Sequence, residues 1–382
     1  MALNYRWDYV KFLFESKHKT NIQNTEIFFF FPFYHIGGAE RVHIDILKVF
    51  KEFHPICFIT EKSKDHFKEE FESLATLIHL RKLSKKKFKA YFLKKIAKQI
   101  NAKANPIIFG CNSLLFYDLI PYLDKHVKII DLIHAFSDNE SWAAEIYSLP
   151  YVSRINKRVV LGNKTKNDFI NLYQTKNINS DLNENIVIIN NKVSIPESYD
   201  KQFNDNLVVL FVGRDSGEKR PEIFIEIARK MLEINKELRF KLIGDFSNFK
   251  KDIVLENVEF VNEIKEKQLL IEQYKNGDVI MITSRREGLP MVILEGMAYG
   301  MVPMSTNVGE IPSLINEENN NGILIDNNQD DSKIIDDFVA ELIALNSNKT
   351  RVIELSKNAY NSIKEVYSEE EYVRKYKELF FN

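Results

Sequence analysis

Glu287-Gly288-Leu289-Pro290-Met291-Val292-Ile293-Leu294-Glu295-Gly296-Met297-Ala298 is the stretch on which the reading of this chain turns. Two carboxylates bracket a turn, a proline and an apolar helical run. Glycine at 288 allows a close backbone approach. Proline suits the first position of a helix, which predicts a helix beginning at Pro290. The free N–H groups and positive dipole end of such a helix meet an anion favourably. Glu295 falls about a turn and a half inside it, so its carboxylate faces a different direction from Glu287. An amphipathic helix with a capped start would explain one carboxylate. Two of them flanking a Gly-x-Pro turn favour a binding site.

Working outward, the chain alternates short β-rich runs with longer helical ones, the pattern of parallel α/β architecture. The first half predicts strands at 27–31, 54–60, 107–109, 128–133, 158–161 and 185–189, with helices at 39–50 and 87–100. The second half predicts strands at 208–212, 240–243, 258–260, 279–282 and 302–305, with helices at 221–233 and 265–275. Residues 190–206 are polar, contain Pro196 and show no period; they read as a hinge. At 382 residues the chain suits two domains, and its 45% apolar content is enough for two cores. No short-period repeat points to a solenoid. Two Rossmann-like halves facing a cleft are the simplest architecture.

Composition removes several function classes. A formal net charge of −1 argues against a general nucleic-acid binder, which needs a basic excess. The two cysteines, Cys57 and Cys111, are far apart in apolar settings and read as buried thiols of a reducing compartment. No CxxC or Cys/His spacing suggests a metal, and no metal ligand is assigned. No GxGxxG follows a predicted strand, which disfavours a dinucleotide-binding oxidoreductase. No run is long enough to span a bilayer, and residues 1–19 lack a secretory apolar core, so a cytoplasmic location is expected.

Two further loops carry chemistry. Val212-Gly213-Arg214-Asp215-Ser216-Gly217-Glu218-Lys219 follows the first strand of the second half. Arg214 can fork onto phosphate oxygens and Lys219 supplies a point charge. Alone, this would read as a solvated basic loop. Tyr34-His35-Ile36-Gly37-Gly38-Ala39-Glu40-Arg41 follows the first strand of the chain, where a glycine pair lets a backbone come close to a ligand. Asp131-Leu132-Ile133-His134-Ala135-Phe136 ends another strand, placing His134 at the carboxyl edge where α/β folds bind ligands.

Taken together these segments resemble the retaining glycosyltransferases of the GT-B fold, specifically family 4 (glycosyl transferases group 1). That family carries two glutamates with seven residues between them, the spacing of Glu287 and Glu295. The resemblance implies a nucleoside-diphosphate sugar donor held mainly by the second domain. Glu287 would contact the transferred sugar. Gly288 and Leu289 would offer backbone N–H groups to the diphosphate, beside Pro290, and Glu295 would hold the ribose hydroxyls. Arg214 and Lys219 would neutralise the departing diphosphate, making a metal unnecessary and no cofactor required. Gly37 and Gly38 would form the family's Gly-Gly-x-Glu loop, and His134 would lie close to the donor sugar and acceptor. The implied division is an acceptor-side domain at 1–192, a donor domain at 193–362, and a last helix, about 363–382, crossing back onto the first domain.

The resemblance departs from the family at Ala135, where aspartate is frequent, and at Asn307-Val308-Gly309-Glu310, which lacks the usual double glycine. A UDP-sugar donor and a glycan or lipid-linked glycan acceptor in cell-surface polysaccharide synthesis are expected. Rival readings are a catalytically silent glycosyltransferase-like partner subunit and a nucleotide-sugar epimerase on the same fold. From Arg81 to Lys98 the chain carries nine Lys or Arg and no acid, with Phe88, Phe92, Ile96 and Ile100 at helical spacing. Such a helix either docks peripherally on the anionic inner face of the plasma membrane or is a surface helix whose apolar side is core.

Overall fold

The run Ile27–Phe31, five apolar residues without a polar break, forms strand β1 and is buried at every position. A parallel strand covered on both faces requires such a run. In a computed structural model of the chain, residues 25–35, 37–80, 89–134, 136, 143–247, 253–264, 266–364 and 366–382 are described. The chain divides into two compact units. The first takes in residues up to 161, 165–189 and 373–382; the second takes in 162–164 and 190–372.

Unit 1 is built on β1 with β2 (Ile56–Ile59), β3 (Thr76–His79), β4 (Ile107–Cys111), β5 (Lys128–Ile133), β6 (Lys157–Val160) and β7 (Ile186–Ile188). Every pairing is parallel, in the order β3-β2-β1-β4-β5-β6-β7. Unit 2 contains β8 (Val208–Val212), β9 (Arg239–Ile243), β10 (Val258–Val261), β11 (Val279–Ile282), β12 (Val302–Thr306) and β13 (Ile323–Ile325). They form a parallel sheet in the order β10-β9-β8-β11-β12-β13. Two Rossmann-like sheets with helical crossovers are the elements of the GT-B fold.

Three expectations change. β3 and β13 were not foreseen as strands; each is a short sheet edge. The last helix, expected from about 363, is Glu369–Phe381, and a separate helix, Lys349–Lys364, precedes it. The helix expected from Pro290 begins at Met291, because Pro290 is extended (φ −71°, ψ 122°) and occupies the N-cap.

From Val373 onward the last helix belongs to unit 1. The Phe380 ring lies 3.9 Å from that of Phe50 and about 6 Å from those of Phe29 and Phe109. Lys128 Nζ donates to the Phe380 carbonyl at 3.1 Å. Burying such an aromatic side chain contributes roughly 1.5–3 kcal/mol.

Candidate active site

In each sheet the first strand has its later neighbours on both sides, so successive crossovers leave in opposite directions. That topological switch opens a crevice at the carboxyl edge, where α/β sheets bind ligands. In unit 2 the switch lies between β8 and β11. The loop after β8, residues 213–220, carries Arg214 and Lys219. The loop after β11, residues 283–290, carries Ser284, Glu287, Gly288, Leu289 and Pro290.

These loops are tied together. Lys219 Nζ donates to both Glu287 carboxylate oxygens, at 2.5 and 2.7 Å. Ser284 Oγ donates to Glu287 Oε1 at 2.6 Å. The Glu287 side chain is 6% exposed and that of Lys219 is 23% exposed. Thr283 Oγ1 donates to the carbonyls of Lys219 and Arg220, each at 2.9 Å. Arg220, in a left-handed conformation (φ 50°), returns its buried guanidinium to the Thr283 carbonyl at 2.6 Å and the Ser284 carbonyl at 3.2 Å. The two loops therefore form one braced unit with the Lys219–Glu287 pair at its rim.

Arg214 is exposed and makes no hydrogen bond or ion pair with another described residue. It is available to an incoming anion. A third loop supports the pair from behind. Gly309 has φ +59°, and a Cβ there would overlap the Glu287 carbonyl oxygen, so only glycine fits. Glu310 N donates to the Gly288 carbonyl at 3.2 Å. The segment flagged in the sequence for its single glycine thus backs the glutamate loop. Leu289 is buried, so its side chain is core. Glu295, on the helix Met291–Ala298, accepts from the buried Tyr274 hydroxyl at 2.6 Å, which fixes the carboxylate.

The switch of unit 1 lies between β1 and β4. Gly37 is the N-cap of the helix Gly38–Phe50, and Glu40 curls back so that a Cβ on Gly37 would strike its carboxylate. His134 follows β5, with its Nε2 3.4 Å from His43 Nε2. Burial pushes His134 down to about 4 and His43 well below the ordinary histidine value, so both imidazoles are neutral at pH 7. Ala135, the position at which the chain departs from the family's frequent aspartate, lies outside the described residues. Beneath the edge, Arg158 Nη2 and Nε donate to Asp131 at 2.6 and 3.1 Å, with both side chains at most 1% exposed.

The helix Lys89–Asn101 takes in the second part of the basic segment. Phe92, Leu93, Ile96, Ala97 and Ile100 are buried, so its apolar side is core; Lys94, Lys95 and Lys98 are exposed. Residues 81–88, including Phe88, lie outside the described residues. A hollow of about 400 Å³ beside this helix is lined by Lys94, Lys98, Asn101, Ala102, Tyr122 and Asp124. Its lining precedes β4 and β5 and so belongs to the amino edge, opposite the ligand edge. Among the described residues, no helix is long and apolar enough to cross a membrane.

Of the sequence-named residues, Lys219 and Glu287 are in contact. Gly288, Leu289 and Pro290 share their braced loop, and Arg214 and Glu295 belong to the same unit. Gly37, Gly38 and His134 belong to unit 1. Sequence reasoning passed over Ser284, Tyr274, His43 and Arg158. Tyr274, His43 and Arg158 act through partners on other elements, whereas Ser284 stands three residues before Glu287 in the same loop, where a lone serine carries no spacing of its own.

Residues 196–362 match the family model described as Glycosyl transferases group 1. The chain is 25% identical over 264 residues to the poly(ribitol-phosphate) alpha-N-acetylglucosaminyltransferase of Staphylococcus aureus, covering 67% of this chain and 49% of that protein. It is 28% identical over 195 residues to the Escherichia coli UDP-Gal:alpha-D-GlcNAc-diphosphoundecaprenol alpha-1,3-galactosyltransferase, covering 47% and 46%. The chain thus spans about half the length of these two curated relatives. In fold it is similar to Anabaena Alr3699/HepE crystallised with UDP, with a TM-score of 0.73 at 15% identity over 93% of this chain and 99% of the other.

Proposed function

We propose that this chain, whose residues 196–362 match the glycosyl transferases group 1 family model, is a retaining glycosyltransferase of that family. It moves a sugar from a UDP-sugar to a hydroxyl of a glycan or lipid-linked glycan in cell-surface polysaccharide synthesis. The observation that carries this reading is the Lys219–Glu287–Ser284 cluster at the switch point of unit 2. A cation and a carboxylate at one rim match a donor with an anionic diphosphate beside a hydroxyl-rich sugar. The UDP donor and the lipid-linked acceptor are supported by the names of the relatives, as is retention, since both are named for alpha-linked transfer.

Arrival of the diphosphate offers Lys219 new anionic partners, and Arg214 adds a second cation from the same loop. Glu287, drawn away from Lys219, accepts hydrogen bonds from sugar hydroxyls while Ser284 keeps it oriented. Glu295, steadied by Tyr274, receives the ribose. As the glycosidic bond breaks, negative charge grows on the diphosphate. A preplaced donor at that position contributes about 3–4 kcal/mol, a hundredfold or more in rate. Arg214, Lys219 and the N-terminus of the helix Met291–Ala298 carry this charge in the proposal without a metal. The acceptor hydroxyl gives its proton to the leaving phosphate, and the neutral His134 positions the sugar as a hydrogen-bonding group.

The chain works at a membrane surface in this reading only through charge, because the apolar side of Lys89–Asn101 is already core. A thermal-shift series with UDP, GDP, ADP and CMP tests the donor, since a ligand that binds only the native state raises Tm. UDP is expected to give the largest shift. A larger shift with GDP or ADP overturns the UDP assignment. Incubation with UDP-sugars and undecaprenyl-diphosphate-linked glycans, with the new linkage read by NMR, tests transfer. A beta linkage from an alpha donor overturns retention.

A further inference from the structure

Three potential ligands meet at the switch point of unit 1. His43 projects from the helix after β1, Cys111 ends β4, and His134 follows β5. One nitrogen or sulfur atom from each lies within 4.8 Å of the other two. We propose that His43, Cys111 and His134 form a binding site for one thiophilic divalent cation of the zinc class.

The donor set fits that ion. Two imidazoles and a thiolate suit a borderline-soft cation, whereas magnesium and calcium prefer oxygen ligands. Two nitrogens each about 2.0–2.1 Å from zinc at a tetrahedral angle stand roughly 3.3 Å apart. The observed Nε2···Nε2 separation is 3.4 Å. A nitrogen and a sulfur on the same ion stand roughly 3.6 Å apart, so the Cys111 thiol has about 1 Å to travel at most. Three protein ligands leave the fourth position open, as in zinc sites that take water or a ligand.

His43 is fully buried and stacks on Phe31 with ring centres 4.1 Å apart, which holds its Nε2 toward His134. A hydrogen bond between the histidines explains their contact but not the thiol beside them. The partly exposed His134 gives the ion a way in. Binding exchanges the Cys111 thiol proton for a metal–sulfur bond, releasing one proton to solvent. An ion here takes His134 Nε2 and leaves only Nδ1 for the sugar contact proposed above; the site does not otherwise rest on the transferase reading, and its test reads the metal rather than turnover.

The full chain, stripped with a chelator and kept reduced, is titrated with Co²⁺. One equivalent should develop a near-ultraviolet thiolate-to-cobalt band with the visible absorption of a four-coordinate ion, and Zn²⁺ should bleach both. C57S, which alters the other cysteine, should titrate unchanged. C111S should lose the near-ultraviolet band. H134Q, altered at the rim with its fold checked by thermal melting, should bind at least about tenfold more weakly. Absence of the band in the unaltered chain, its survival in C111S, or unchanged affinity in H134Q overturns the site. Should C111S not fold, H134Q decides.

Discussion

At the carboxyl edge of unit 2, an ammonium, a carboxylate and a hydroxyl form a tight hydrogen-bonded set at the rim. At the corresponding edge of unit 1, two neutral imidazoles and a buried thiol occupy the switch point, and the charged pair Asp131–Arg158 is sunk beneath it. Both sheets set their first strand inside the order, so topology opens a crevice in each. The side chains then decide what it accepts. A rim of opposite charges can be rearranged by an anion; a neutral rim serves hydroxyls or a soft cation.

The comparison breaks first where unit 1 hides its charge. Arg158→Met leaves the Asp131 carboxylate buried without its cation, and such removal costs about 3–5 kcal/mol. Denaturant unfolding should show that loss, and a change below about 1 kcal/mol would mean that the pair is not a structural element of the edge. Next comes the charged rim. Lys219→Met and Glu287→Gln should each lower kcat/KM for donor turnover by roughly a hundredfold or more, with the fold intact by circular dichroism. A double variant no worse than either single would show that the two act as one unit.

A smaller effect is expected behind that rim. Gly309→Ala places a Cβ against the Glu287 carbonyl at a positive φ, and such strain costs on the order of 1–3 kcal/mol. Thermal melting should fall and donor affinity should fall with it; unaltered melting would remove the supporting role of that loop.

The smallest effect concerns the neutral rim of unit 1. Its histidines have native pKa values below the ordinary 6.5, His134 at about 4. Between those values the unfolded chain binds more protons than the folded one, so stability is greatest above about pH 6.5 and falls as pH drops toward 4. With metal chelated, urea midpoints at pH 7.5 and 5 should differ less in His43→Phe than in the unaltered chain. An equal difference would show that His43 does not contribute to it.

Much of this organisation was legible in the sequence. Runs such as Val208–Val212 and Val279–Ile282 read as strands because burial on both faces demands unbroken apolar residues. β3 escaped because an edge strand carries mixed burial, here with His79 exposed, and β13 because three residues give no period. Glu287 and Lys219 were readable as chemistry, but not as partners, since 68 residues separate them and only the β8–β11 pairing brings their loops together. Pro290 misled by one position: its φ suits a helix, yet its ψ of 122° keeps it outside. Cys111 was read correctly as a buried thiol, while its histidine neighbours come from other elements and leave no spacing to detect.

The return of residues 373–382 to unit 1 has a consequence for synthesis. The ribosome finishes the first sheet long before Phe380 emerges, so the rings of Phe29, Phe50 and Phe109 wait through the making of all of unit 2 without their last cover. The nascent first half is therefore an incomplete body in need of shielding. A frameshift or nonsense change in the codons for residues 373–382 would strike the part of the molecule made first as well as the part being made.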